Sequence, residues 1–258
     1  MNKLIQFLRH FFRSKTRHGT HSPFVYALID QCIYQSIEIP TEVRVNFEKL
    51  KKDVRSFTGL DHGKGIEITY SIGDLAKKSA SQDFESMLIA RLARYHNLKS
   101  LLELGSNLGK TSAYVASANP QLNVLGIDGN EALASFAMKN FQTLSIKNAE
   151  IKATTFTEFF QTNSRTFDMI FIEGDHRYQR TLDNYESSKK VLKGEGPIVL
   201  HDIYWSDGMN EAWEKIKADN DATVTIDLFF FGLVYFRKGQ VKEHFDIRFP
   251  RNPMKLLL

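Results

Sequence analysis

Apolar and polar positions along residues 81–258 alternate in a way that predicts strands separated by helices. Short apolar runs, bounded by turn residues, are followed by stretches whose apolar residues recur at helical spacing. This order is typical of an α/β fold in which helices cover both faces of a parallel sheet. The last two strands are joined by a short turn and should pair antiparallel, which gives a mostly parallel seven-stranded sheet with one antiparallel strand. The predicted strands are Ser100–Leu104, Asn123–Asp128, Ala149–Ala153, Phe167–Glu173, Pro197–His201, Thr223–Phe229 and Leu233–Arg237.

Residues 1–80 have a different pattern and predict a helical N-terminal extension to a domain of residues 81–258. Pro23 suits the first turn of a helix that runs through Tyr34, and helical spacing continues from Thr41 to Ser56. The glycines of Asp61–Gly65 predict a loop. A further helix over Ser81–Tyr95 should lead into the sheet.

The first helix of this extension is basic and amphipathic. No acidic residue occurs before Asp30, while Leu4, Leu8, Phe11 and Phe12 recur on one helical face. The simplest interpretation is a helix that packs this face on the core. A substrate lid and a targeting or membrane-surface segment are the alternatives.

Composition narrows the class of protein. The chain has 258 residues, 42% of them hydrophobic, and a formal net charge of +4, which is typical of a folded domain. The single cysteine, Cys32, excludes an intrachain disulfide, so we expect a cytoplasmic protein. No apolar run approaches the roughly 20 residues that span a bilayer, so no transmembrane segment is predicted.

A glycine-containing turn follows the first strand of the predicted sheet, in the segment LLELGSNLGKTSAYVA. Such a turn directs backbone N–H groups and a helix N-terminus at a ligand. The dinucleotide pattern G-x-G-x-x-G fails here, because Asn107 and Lys110 stand where glycines are needed. The P-loop pattern fits Gly109-Lys110-Thr111 but requires a glycine at Leu104, so it misses by one position. A nucleoside-triphosphatase is therefore the alternative enzyme class.

The pattern E-x-G-x-x-x-G resembles the cradle of class I S-adenosylmethionine (SAM)-dependent methyltransferases, which have a Rossmann-like fold. Asp128, at the end of the next strand, is placed to accept the ribose hydroxyls, and the resemblance implies that Glu103 helps to hold the amino acid end of SAM. Asn107 stands where many members have glycine, but asparagine tolerates a left-handed backbone. The predicted cofactor-binding residues are Glu103, Gly105, Ser106, Asn107, Gly109, Asp128, Gly129 and Glu173.

Polar clusters follow two later strands, in FIEGDHRY and IVLHDIYW. The ends of parallel strands share one edge of a sheet, so these clusters are expected to face the ligand. The pair of motifs resembles the small-molecule O-methyltransferases, whose architecture is related to that of catechol O-methyltransferase. That resemblance implies Glu173 and Asp202 as ligands of Mg²⁺ or another divalent cation, although Ile203 occupies a position where relatives often have a further metal ligand.

The residues of these clusters suggest acid–base chemistry. His176 and His201 are candidate bases near neutral pH, and Asp175 could orient His176. Together the observations predict an enzyme that methylates a small hydroxylated molecule by in-line transfer. A homodimer and a weak membrane-surface contact remain open. RNA methylation is disfavoured because no RNA-binding module is recognisable, and a nucleic-acid or membrane-surface binding protein with a vestigial cofactor site is the non-enzymatic alternative.

Overall fold

The computed structural model describes residues 3–61, 66–78 and 81–250, which fall into two compact units. The first unit contains residues 1–35 and 168–258, and the second contains residues 36–167. This division differs from the expected boundary at residue 80. Residues 62–65 of the predicted loop lie outside the described part of the chain.

The second unit is built on three parallel strands in the order β3-β4-β5. In their registers, Leu102 pairs with Leu125 and Gly126 pairs with Ile151. All three strands lie at the predicted residues. The elements of this unit are α3 (Thr41–Leu50), β1 (Ser56–Asp61), β2 (Ile66–Ser71), α4 (Ile72–Lys78), α5 (Asp83–Tyr95), β3 (Ser100–Leu104), α6 (Lys110–Ala118), β4 (Asn123–Asp128), α7 (Glu131–Thr143), β5 (Ala149–Ala153) and α8 (Phe156–Thr162).

The hairpin of β1 and β2 corrects the prediction of an all-helical N-terminal extension. The two strands pair antiparallel, with Thr58 opposite Thr69 and their hydroxyls 3.0 Å apart. The helix predicted to reach Ser56 ends at Leu50. An apolar–polar alternation in IEITYS is the sequence signal that identifies β2.

The first unit has five strands in the order β10-β8-β9-β7-β6. As predicted, β8 and β9 pair antiparallel, and β9 is the reversed strand because it also runs antiparallel to β7. β10 pairs parallel with β8 and was not predicted. The elements are α1 (Lys3–Arg13), a 3₁₀ turn (Arg17–Gly19), α2 (Pro23–Leu28) with a π-helical continuation (Ile29–Ile33), β6 (Met169–Ile172), α9 (Tyr178–Val191), β7 (Ile198–His201), α10 (Asp207–Ala218), β8 (Val224–Asp227), β9 (Phe231–Tyr235) and β10 (Glu243–Asp246).

The α/β, Rossmann-like class with a mostly parallel sheet and one antiparallel strand is confirmed. Across the described residues the strands β3–β10 number eight, one more than predicted, because β10 was missed. Its sequence, EHFD, is short and mostly polar. Such an edge strand has almost no apolar signal.

Helix α1 forms where it was predicted but packs by the opposite face. Its buried residues are Gln6, Phe7 and His10, whereas the predicted core-facing residues Leu4, Leu8 and Phe12 are exposed. The reason is a polar partner: His10 Nε2 lies 3.1 Å from the carboxylate of Asp227. This buried polar contact between His10 and Asp227 therefore sets the orientation of the helix.

Helix α2 begins as predicted, with Pro23 in its first turn and the Ser22 hydroxyl accepting a hydrogen bond from the backbone N–H of Val25. Ser22 therefore caps the N-terminus of α2. In the part of the chain that the structure describes, no helix combines the length and the apolar character needed to cross a bilayer.

Candidate active site

The turn between β3 and α6 adopts the backbone that its sequence requires. Gly105, Asn107 and Gly109 have φ of 97°, 50° and 76°. The prediction that Asn107 would take the left-handed conformation is therefore confirmed. The Gly105 N–H donates to Ile127 O at 2.8 Å, which fixes the turn against the end of β4.

Two glycines allow close packing under this turn. A Cβ on Gly109 would lie 2.8 Å from the ring of Phe141 and 2.9 Å from Ala137 on α7. A Cβ on Gly126 would lie 2.1 Å from Ser106 Oγ. Gly109 thus has a packing reason beside its place in the motif, and Gly126 is a contributor that the motif comparison missed.

Glu103 is buried beneath the turn and accepts a hydrogen bond from the Ser112 hydroxyl on α6. This bond joins the end of β3 to the helix that follows the turn. Glu103 therefore holds the turn and helix α6 in position, whatever further contact it makes with a ligand.

Asp128 lies at the end of β4 with its carboxylate fixed by the backbone. Its Oδ2 accepts from the N–H of Asn107 at 2.7 Å, and its Oδ1 accepts from the N–H of Asn130 at 2.9 Å. These two backbone N–H groups therefore hold the Asp128 carboxylate in place at the end of β4.

A cavity of about 510 Å³ opens beside Asp128. Strand β1 of the hairpin lines part of this cavity. Its Gly59 lies so close to Asn130 that a Cβ at this position would be 2.3 Å from Asn130 Nδ2. Sequence reasoning found Gly129 but missed the contribution of β1. The cavity is lined by Thr58, Gly59, Gly129, Asn130, Glu131, Ala132 and Ser135.

Lys110 and Thr111, the residues that favoured a P-loop, bind the start of α5. Lys110 Nζ donates to Ser81 O at 2.7 Å and lies 2.8 Å from Asp83 Oδ1. Burial alone would raise the pKa of Asp83, but the hydrogen bond and charge of Lys110 outweigh it and lower that pKa. Thr111 donates to Ser81 Oγ. A lysine used in this way does not fit the phosphate-binding hypothesis.

In the first unit, the ends of β6 and β7 bring His176, His201, Glu173 and Asp202 together as predicted. His201 Nδ1 lies 3.8 Å from Glu173 Oε1 and 3.8 Å from Asp202 Oδ2. The imidazole rings of His176 and His201 have centroids 6.0 Å apart. The cluster therefore combines two imidazoles with two carboxylates.

Asp175 takes a different role from the predicted one. Arg177 binds its carboxylate through two hydrogen bonds, of 2.5 and 2.7 Å, so its effect on His176 is electrostatic. Asp175 and Asp202 both have left-handed backbones, with φ of 60° and 53°. Such conformations are costly for residues other than glycine and concentrate at functional sites.

The environment of His176 favours its neutral form. Burial, and after it the nearby charge of His201, lower its pKa to about 4, because Asp202 and Asp175 oppose the shift only in part. At neutral pH the imidazole therefore has a free lone pair with which to accept a proton.

The donor set at this cluster fits a divalent cation, but with other ligands than expected. Single ligand atoms of His176, His201 and Asp202 lie within 4.8 Å of one another, so the histidines join Asp202 in that group rather than Glu173. Imidazole ligands suit transition metals, whereas Mg²⁺ prefers oxygen.

The two tryptophans differ in environment. Trp213 is a core residue: it is buried against Gly232 and donates to Asp227 Oδ2 at 3.3 Å. Trp205 is 62% exposed. Trp213 is thus accounted for by packing alone.

Comparison with known proteins identifies part of the chain. Residues 102–203 match the family model Methyltransf_24, described as a methyltransferase domain. A tRNA (guanine-N(7)-)-methyltransferase of Mycoplasma mobile is 26% identical over 151 residues, which are 54% of this chain. The chain spans 66% of the length of that relative.

Solved structures share the fold at low identity. SAH-bound PaMTH1 of Podospora anserina has a TM-score of 0.62 at 12% identity, covering 85% of this chain and 97% of that one. An O-methyltransferase of Bacillus cereus in complex with SAH (TM-score 0.53, 15% identity) covers 62% of this chain and 84% of its own. TomG of Streptomyces achromogenes, in complex with SAM (TM-score 0.53, 16%), covers 61% and 81%. Residues 102–203 therefore match a methyltransferase domain, and the chain shares the class I, O-methyltransferase-like fold of these structures.

Proposed function

We propose that this methyltransferase transfers the methyl group of SAM to a hydroxyl group of a small molecule. The observation that carries the proposal is the pair of imidazoles, His176 and His201, set among carboxylates at the ends of β6 and β7. A hydroxyl is a poor nucleophile until its proton is removed or shared. A neutral imidazole offers a ring nitrogen that can share that proton, and with a pKa near 4 His176 is a weak base for this step.

The second unit supplies the cofactor side of the proposal. Asp128, whose carboxylate is held by the N–H groups of Asn107 and Asn130, accepts the ribose hydroxyls. The backbone of Gly105, Ser106 and Gly129 lies along the cofactor where small side chains permit close approach. The cavity beside Asp128 takes the adenosine end. SAM, when bound, supplies an electrophilic methyl group.

In the reaction, His176 accepts the proton of the acceptor hydroxyl as the new C–O bond forms and the S–C bond breaks. His201 lies between Glu173 and Asp202 and orients the acceptor beside His176. In the alternative arrangement, a cation held by His176, His201 and Asp202 would replace His176 as the activating group, because it would lower the pKa of the acceptor hydroxyl. The requirement for a metal is part of the test below.

A transfer assay with SAM that carries a labelled methyl group tests the proposal. Small catechols and other hydroxylated compounds serve as acceptors, with and without a chelator and with Mg²⁺, Mn²⁺ or Zn²⁺ added back. We expect His176→Ala to lower kcat by about 100-fold, in the range for loss of a general base, and to leave SAM affinity nearly unchanged. His18→Ala, at an exposed histidine, is the matched control.

The curated relative favours a second candidate acceptor. That relative is named as a methyltransferase of guanine N7 in tRNA. An aromatic ring nitrogen of this kind already has a lone pair, so it needs no base to become a nucleophile. Unfractionated tRNA is therefore a separate arm of the assay. Label in tRNA but in no small hydroxylated acceptor, with His176→Ala still active, would replace the proposal by this candidate.

A further inference from the structure

Helix α1 presents an apolar face to solvent, although the helix itself is firmly held. Leu4, Ile5, Leu8 and Phe12 are 48%, 46%, 43% and 80% exposed. Residues at these spacings share one side of a helix. Single exposed apolar residues are common, but a continuous stripe marks an interaction surface. We call these four residues the α1 face.

The buried side of α1 shows that this exposure is built into the fold. Phe7 packs edge-on against Phe229 with ring centroids 5.0 Å apart. His10 Nε2 lies 3.1 Å from Asp227 Oδ1. Arg13 binds Asp246 through two hydrogen bonds, of 2.6 and 2.7 Å. Rotating the stripe inward would break these contacts, so the stripe stays outside.

Trp205 is a further exposed aromatic side chain of the same unit, beside Lys3 at the start of α1. Its ring is 62% exposed, and the ammonium of Lys3 lies 5.9 Å from the ring centroid. A tryptophan beside a lysine combines an apolar body with a charged group at its edge. Tryptophan and lysine side chains with this combination are common at the boundary between lipid and water.

The positive charge near the α1 face indicates which kind of partner this face would bind. Lys3 through Ile29 include no acidic residue, and Arg9 and Lys15 are exposed, whereas the charge of Arg13 is paired with that of Asp246. An amphipathic helix with cations beside its apolar stripe binds at the surface of anionic membranes. Nucleic acid would use the cations but leave the apolar stripe in water, and a second copy of the chain would meet the same positive charge.

We propose that the α1 face docks the protein on an anionic lipid surface. Four apolar side chains give shallow, reversible contact, in which lipid headgroup charge supplies the rest of the affinity. This surface is separate from the methyl-transfer residues, so the inference does not depend on the identity of the acceptor.

Co-sedimentation of the full chain with vesicles tests the proposal. Vesicles of phosphatidylcholine with phosphatidylserine should bind the protein, and vesicles of phosphatidylcholine alone should not. Added salt should weaken binding because it screens the headgroup charge. The double variant Leu8→Gln, Phe12→Gln should reduce binding by at least about tenfold, from the apolar area no longer buried. Arg9→Gln with Lys15→Gln should reduce it as well.

Val54→Gln is the control, because Val54 is 93% exposed and belongs to the other unit. Equal binding to both kinds of vesicle, no binding to either, or no effect of the double variant would overturn the proposal. A wild-type dimer in sedimentation velocity that the double variant dissociates would assign the face to a second copy instead. Salt-sensitive binding of RNA without binding to vesicles would assign it to nucleic acid.

Discussion

Asp128 shows how much a single side chain depends on its surroundings. Its place at the end of an apolar strand could be predicted, because strand and turn signals lie on either side of it. The two backbone N–H groups that hold its carboxylate come from Asn107 and Asn130 in two different loops. Those loops fix the direction in which the carboxylate can act.

Replacing Gly109 by alanine should destabilise the second unit. The left-handed φ of 76° and the contact of 2.8 Å with Phe141 both oppose a Cβ, so we expect a loss of about 2–4 kcal/mol in the free energy of unfolding. Gly194→Ala is the matched control, since its φ is 67° but no atom lies within 4 Å of the new Cβ. Urea denaturation should show the smaller loss, about 1 kcal/mol, for the control. Equal losses would contradict the packing role.

At the residue scale, sequence located the polar clusters but not their hydrogen-bond partners. His176, His201, Glu173 and Asp202 follow strands whose apolar runs end abruptly, so their proximity was predictable. The pairing of Asp175 with Arg177 was not, because it depends on the left-handed backbone at Asp175.

At the scale of elements, the hairpin of β1 and β2 was the main omission. Its second strand alternates cleanly, but its first strand, SFTGLD, contains a glycine and little apolar character. Gly59 is there for a reason that only the structure shows: it admits the side chain of Asn130. The pattern of residues within one short segment does not predict a contact between residues that are far apart in the sequence.

Gly59→Ala should weaken SAM binding through Asn130. The new Cβ would lie 2.3 Å from Asn130 Nδ2, while Asn130 Oδ1 is occupied in capping α7 through the N–H groups of Ala132 and Leu133. We expect the dissociation constant to rise about tenfold, equivalent to ~1.4 kcal/mol. Calorimetry measures it, with Gly208→Ala as control because the nearest atom there is 3.5 Å away. An unchanged constant would remove β1 from the cofactor site.

For helix α1 the prediction was wrong in a different way. The helix was predicted at the correct residues, but the face predicted to be buried is exposed. Hydrophobic periodicity assigns Leu4, Leu8 and Phe12 to the core, but Asp227 is completely buried and needs partners. His10 of α1 and Tyr204 bind its carboxylate. Satisfying a buried charge outweighs the burial of the stripe, because an unpaired charge is far more costly.

Asp246→Asn should make the anchoring of α1 less sensitive to acid. Burial raises the pKa of Asp246, but hydrogen bonds from His244 and Arg13 outweigh it and hold that pKa well below its ordinary value. A carboxyl with a lowered pKa stabilises the fold above about pH 4 and loses that contribution as pH falls toward the folded-state pKa.

We therefore expect Asp246→Asn to cost about 1–3 kcal/mol near neutral pH and much less in strong acid. Denaturation of wild type and variant across pH measures the difference. Arg13→Gln should reproduce the loss at neutral pH, since it removes the same pair. A loss that is the same at every pH would mean that the charge of Asp246 does not stabilise the native state.

At the scale of the whole molecule, the two sets of candidate residues belong to different units. The cofactor residues around Asp128 lie in the second unit, and His176, His201 and their carboxylates lie in the first. The match to a methyltransferase domain covers residues 102–203, which include both sets. The overall class could be predicted because each strand and turn signal is local, whereas the acceptor depends on loops and on the N-terminal region.

Calorimetric titration with SAM tests the central claim most directly. Wild type should bind SAM with a dissociation constant in the micromolar range, and Asp128→Asn should weaken binding by about 10–100-fold, because one or two charge-assisted hydrogen bonds are lost. Glu150→Gln, at an exposed acid on β5, should bind like wild type. Absence of SAM binding by the folded wild-type protein, or equal affinity for wild type and Asp128→Asn, would contradict the account.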